Sequence, residues 1–97
     1  MRIEWDPDKA RRNRAKHGVS FEDASHLLAG EGDVLEIFDA AHSTDEDRFL
    51  AIGSAPPGIL VVVYAVVDDD SVRIVSARKA TRGEQERFEA FWRGRHG

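Results

Sequence analysis

Hydrophobic and polar positions change period twice along the chain. Residues 2–5 (RIEW) alternate, which predicts a short strand with Ile3 and Trp5 on one face. Asp6-Pro7 follows as an N-cap residue and a proline at the first helical position, predicting a helix to about His17. Gly18 comes next, the residue best able to turn left-handed after a helix. Ser20 then starts a second helix, with Asp23 three residues on and Val19 placed to pack back on the first turn. That helix should reach Leu28 or Ala29, ahead of Gly30 and Gly32. From Val34 the period becomes that of strands: VLEIF, RFLAIG, ILVVVYAVV and VRIVSA. The third run is apolar on both faces, which predicts a central strand. A polar loop (39–47), the turn APPG and the turn DDDS separate these runs, and two prolines cannot extend a ladder. Thr81 and Glu84 have capping-box spacing for a last helix, and Phe88, Phe91 and Trp92 on it should pack on the sheet. The order β-α-α-β-β-β-β-α predicts an α+β sandwich, with helices covering an antiparallel sheet formed by a meander.

Length narrows this further. Ninety-seven residues, 41% hydrophobic and 33% charged, suit one globular domain over 1–97 and leave no room for a second domain around a cofactor. Cysteine is absent, which excludes disulfides, thiolate metal sites and a cysteine nucleophile. The longest apolar run, residues 59–67, is too short to span a membrane. The N-terminus MRIEWDPDK lacks the apolar core of a signal peptide, so a cytoplasmic location is expected.

Charge adds what hydropathy does not. The net charge is −4, yet residues 31–47 carry seven acids and no Lys or Arg, whereas residues 71–97 carry seven Lys or Arg against three acids. Blocks of opposite sign predict a bipolar surface, although small domains are often patchy. The segment SARKATRGE concentrates Arg78, Lys79 and Arg82 where a strand ends and a helix begins. Cations at a helix N-terminus are disfavoured by about 0.3–1 kcal/mol each, so an anion such as phosphate is expected to fill the gap. The plainer reading is that these side chains reach solvent or pair with Glu84 and Glu86. A second basic set, Lys9, Arg11, Arg12, Arg14 and Lys16, lies on the first helix, and Lys9, Arg12 and Lys16 share a face. If the two sets converge, they suit a phosphodiester backbone.

Proton-transfer chemistry has fewer candidates. His17 closes the first helix beside Lys16, where the negative helix end favours its charged form; it suits either proton shuttling or a plain C-terminal cap. No histidine pair has metal-ligand spacing, so no metal or other cofactor is expected. Phosphate-binding glycine loops and serine-nucleophile motifs are absent as well.

The blocks IEWDPDKARRNRAKHGVSFEDA, HSTDEDRFLAIG and VRIVSARKATRGEQERFE together resemble the BrnT family of type II toxins, in the right order and over nearly the whole chain. Where the family's last block has an ISARKA form, this chain reads VSARKA. The resemblance implies a RelE-like fold and a metal-independent endoribonuclease that cleaves RNA and inhibits translation and growth. It also implies a BrnA-like antitoxin that masks the toxin and binds operator DNA, in a complex expected to be a heterotetramer. Cleavage of this kind proceeds by attack of the ribose 2′-OH on the adjacent phosphate and needs a base, an acid and positive charge for the transition state. Arg48, Arg78 and Lys79 are the expected catalytic contacts to phosphate, with Arg82, Lys9 and Arg12 binding substrate. His17 and Lys16 are the expected proton-transfer groups, with Glu22 a weaker choice. Trp5 suits stacking on a base, and equally core packing. Two other readings of the same residues are a non-catalytic RNA- or ribosome-binding domain, and an interaction module for an acidic partner.

Overall fold

The computed structural model describes every residue except Glu31, in the acidic block, and Pro57, in the expected APPG turn. Its elements are β1 (Arg2–Glu4), α1 (Pro7–His17), α2 (Phe21–Ala29), β2 (Val34–Phe38), a 3₁₀ turn (Ala40–His42), β3 (Arg48–Ala55), β4 (Gly58–Asp68), β5 (Ser71–Lys79) and α3 (Arg82–His96). The order is the one the hydropathy pattern predicts. The helix-start signals act as physical caps. Asp6 accepts from the Asp8 N–H at 2.9 Å and Ser20 from the Asp23 N–H at 3.1 Å. Gly18 closes α1 at φ 71°, a conformation that disfavours any residue with a Cβ.

The strands form one sheet in the order β1-β5-β4-β3-β2. β2 to β5 are the expected antiparallel meander, while β1 joins the far edge parallel to β5, so the sheet is mixed. No tight turn links β1 to β5, and the direction of so short a strand is set by where α1 and α2 leave it rather than by its own pattern.

Alternation sorts the strand side chains onto two faces. On the first, Phe21, Ala24 and Leu27 of α2 pack with Ala51, Val62, Tyr64 and Ile74. On the second, Phe88 of α3 packs with Ile52, Val61 and Ala80, flanked by Leu35, Ile37, Leu50 and Phe91. β4 contributes to both, as its continuous apolar run requires. Trp92 departs from expectation. It is 46% exposed, with its ring stacked on His96 at 4.3 Å. Phe88 and Phe91 occupy the sheet-facing stripe of α3, and Trp92 falls at its rim.

Asn13, within the basic run of α1, is buried. Its Nδ2 donates to the carbonyls of Val19 and Ala77 at 3.0 and 2.8 Å, and its Oδ1 accepts from the Ala77 N–H at 3.1 Å. One amide thereby ties α1 to the middle of β5.

Candidate active site

β5 carries most of the candidate chemistry, and a bulge decides where it points. Val63 pairs with Ser76 but Tyr64 pairs with Ile74, so Val75 is an extra residue in β5. Arg73 and Arg78 are five residues apart, and strict alternation would send them to opposite faces. The bulge brings them to the same one. Arg73 lies opposite Ala65, and Arg78 opposite Val61, which belongs to the α3-side core. Arg48 lies opposite Ala65 from the other side. A small alanine therefore sits between two arginines in a row across β3, β4 and β5. Side-chain exposures of 31%, 36% and 33% for Arg48, Arg73 and Arg78 leave all three side chains partly open to solvent.

Each of these arginines is held by a carboxylate. Glu46 receives Arg73 Nη2 on both oxygens, at 2.7 and 2.9 Å, and Arg48 Nη2 at 3.4 Å. The hydrogen bond from Arg73 above all, then the charges of the two arginines, hold the Glu46 carboxyl below its ordinary range. The Arg48 Nε is buried with no hydrogen-bond partner among the described residues. Glu84 receives the fork of Arg78, Nη1 at 2.7 Å and Nη2 at 2.9 Å, and accepts from the Thr81 N–H at 2.8 Å. The Thr81 hydroxyl in turn accepts from the Glu84 N–H at 3.2 Å, which completes the capping box.

This arrangement corrects the expectation of an anion-sized gap before α3. The protein's own Glu84 carboxylate fills it, because the residue that caps the helix is also the residue that faces Arg78. The Arg78 hydrogen bond, with help from Thr81, lowers the Glu84 carboxyl to about 2. A depressed folded-state value stabilises the fold above the unfolded value near 4.5 and loses that contribution as pH falls towards about 2. Thermal unfolding between neutral and strongly acid pH should show this loss, and Glu84→Gln should remove the part that belongs to this carboxyl. A variant with the same acid sensitivity as the parent would exclude Glu84 as its source.

Apart from Arg82, whose helix α3 packs on the arginine side of the sheet, the other expected residues do not gather there. Lys79 follows Arg78 in an extended strand and so points to the opposite face, pairing with Leu60 of the α1 and α2 core. Lys9, Arg12, Lys16 and His17 belong to α1, which packs on β5 from that same side through Asn13. The expected convergence of the two basic sets is therefore partial: Lys79 shares a side with α1, whereas Arg48 and Arg78 do not. Arg82 is 94% exposed at the first turn of α3 and pairs with Glu86 at 3.4 Å. Trp5 is half-buried and meets Phe21 edge-on at 6.2 Å, which is the core-packing role. Sequence reasoning passed over Arg73 and Glu46 as site residues, whereas the plainer reading, pairing with Glu84 and Glu86, is what Arg78 and Arg82 do. Of Arg73, Glu46 and Glu84, only Glu84 carried a local signal, its capping-box spacing.

Segregated charge in the sequence is partly neutralised in space. Asp33 of the acidic block meets Arg95 at 3.0 Å and also pairs with His96, and Glu46 meets Arg48 and Arg73. Among the described residues no group of three or more His, Asp or Glu is arranged so that it could hold a metal ion. No helix of the described residues is long and apolar enough to cross a membrane.

A family model described as "Ribonuclease toxin, BrnT, of type II toxin-antitoxin system" matches residues 5–84. The crystal structure of the Brucella abortus ribonuclease toxin BrnT is similar at 30% identity and a TM-score of 0.62, covering 84% of this chain and 99% of that one. None of the curated proteins matches. Matched over most of its length in both sequence and fold, the chain belongs to the BrnT family of ribonuclease toxins of type II toxin-antitoxin systems.

Proposed function

We propose that this protein is the toxin of a type II pair, an endoribonuclease that cleaves RNA and thereby inhibits translation and growth. Besides family membership, the observation that supports the reading is the placement of Arg48, Arg73 and Arg78 on one sheet face, where the N–H donors not used by Glu46 and Glu84 suit phosphate oxygens. In the reaction, a base takes the proton of the ribose 2′-OH as its oxygen bonds to the adjacent phosphorus. The bond from phosphorus to the 5′-oxygen breaks, and an acid protonates that oxygen as it leaves. Arginines keep their protons, so their part is to hold phosphate and stabilise the extra negative charge of the five-coordinate state. Glu84 and Glu46, both with lowered carboxyl pKa values, are weak bases and act as holders of the arginine forks. His17 and Lys16 remain the proposed proton-transfer groups. They lie on the α1 side, so this role requires RNA to pass around the edge of β5 beyond its short pairing with β1.

No metal is required by this scheme. Cleavage of single-stranded RNA should persist in excess EDTA and leave a 2′,3′-cyclic or 3′-phosphate and a free 5′-OH. Activity lost to EDTA and restored by Mg²⁺ would replace the scheme with a metal-assisted one.

A BrnA-like antitoxin is the proposed partner, binding operator DNA in a heterotetramer. If acidic antitoxin residues engage the arginine face, raising salt from ~50 to ~500 mM should slow association far more than it speeds dissociation. The rates are measurable on a sensor surface, and an association rate indifferent to salt would move the antitoxin off this face. Salt-sensitive RNA binding without cleavage would instead favour the non-catalytic reading.

A further inference from the structure

The α1 and α2 side of the sheet has an opening of its own, away from the arginines. A groove of about 300 Å³ lies there, floored by Leu28, Phe49, Tyr64 and Val66. Phe38, at the β2 edge, extends it. Its ring is 5.3 Å from that of Phe49, and Phe49 stacks on Tyr64 at 5.6 Å, so three aromatic rings run in a row from the sheet edge into the groove. Phe38 is 50% exposed, although burying a side chain of this size is worth about 1.5–3 kcal/mol. Phe38 is the exposed end of this row, Phe49 is half-buried and Tyr64 is buried, so the row offers a partner one open ring leading onto an apolar floor.

Charge around the groove selects the occupant. Glu36 and the run Asp68, Asp69, Asp70 line it and are exposed. Asp68 is engaged by Ser71 and the Asp70 N–H, and Asp70 lies 3.5 Å from the N-terminal amine. Glu36 and Asp69 have no ion-pair partner among the described residues. An acidic rim repels phosphate, so RNA is the wrong ligand for these rings. It attracts cations and fixes their register around an apolar anchor. We infer that this groove docks a segment of a partner protein in which apolar side chains are flanked by lysine or arginine. The site is separate from the arginine face and does not depend on that face cleaving RNA.

The test uses two helical peptides with identical leucine positions, one flanked by lysines and the other by glutamates, titrated into the isotope-labelled full chain. The lysine peptide should move the amide signals of Leu28, Phe49, Val66 and Asp69, and should bind about ten-fold more tightly than the glutamate peptide at low salt. Phe38→Ser and Asp69→Asn should each weaken it severalfold and leave growth inhibition unchanged. Phe38 and Asp69 are exposed, so both variants should fold, which their spectra will show directly. Failure of the lysine peptide to perturb the groove, or equal binding of the two peptides, would overturn the inference. So would an RNA oligonucleotide that shifts the same amides, or self-association that Phe38→Ser abolishes, which would assign the groove to a second copy.

Discussion

Alanine at both Arg73 and Arg78 should lower RNA cleavage by at least about 10²–10³-fold and abolish growth inhibition, while Lys79→Ala should leave both little changed. The scale follows from the loss of preorganised donors aimed at developing negative charge, each worth about 2.7–4 kcal/mol in a partly enclosed site. Arg73 and Arg78 share the α3-side face with Arg48, whereas Lys79 points to the other side. Substituting the sequence neighbours Arg78 and Lys79 together would thus combine one residue from each face. The double variant leaves Glu84 without its fork and Glu46 with Arg48 alone, so circular dichroism and melting must accompany the assay. Arg78→Lys provides the finer readout. It retains the charge, loses the two-pronged geometry, and should give intermediate activity. A folded double variant with full toxicity would remove the arginine face from the mechanism. A Lys79→Ala protein as inactive as the double variant would move the site to the α1 side.

The largest stability effect is expected at a residue with no place in the chemistry. Asn13→Ala should cost about 3 kcal/mol or more, because the buried carbonyls of Val19 and Ala77 and the Ala77 N–H lose the partners they have in one amide. In a domain of this size the melting temperature should fall by on the order of 15 °C. Asn13→Asp keeps an acceptor for the Ala77 N–H, yet sets a carboxylate against two carbonyl oxygens, and should be at least as damaging near neutral pH. Arg12→Ala, next to it on the exposed side of α1, should change stability by no more than about 0.5 kcal/mol. Equal melting temperatures for Asn13→Ala and Arg12→Ala would show that the amide does not fasten α1 to β5.

The elements and their order were legible in the sequence because each rests on local chemistry. Asp6-Pro7, Ser20 and Thr81 start helices through hydrogen bonds spanning two or three residues, and Gly18 ends one through its own backbone freedom. The run in β4 declared a strand buried on both faces by composition alone. Family membership was legible too, since the blocks that carry it are contiguous.

The site was legible only in part, because it is assembled across strands. Whether Arg73 joins Arg78 depends on one extra residue at Val75, and a bulge is fixed by pairing with β4 rather than by the residues of β5. Arg78 and Lys79 look like a single cluster on a line and separate in an extended strand, where successive side chains point oppositely. Glu46 belongs in sequence to an acidic loop, and only the fold brings it between Arg48 and Arg73. Asn13 reads as one more polar residue in a solvated helix until α1 is laid on β5. Sequence by itself determined the segments, their order and the family, for these follow from short-range bonds and contiguous patterns. Tertiary structure decided which charges meet, because pairing register and helix placement act over distances along the chain that no local pattern encodes.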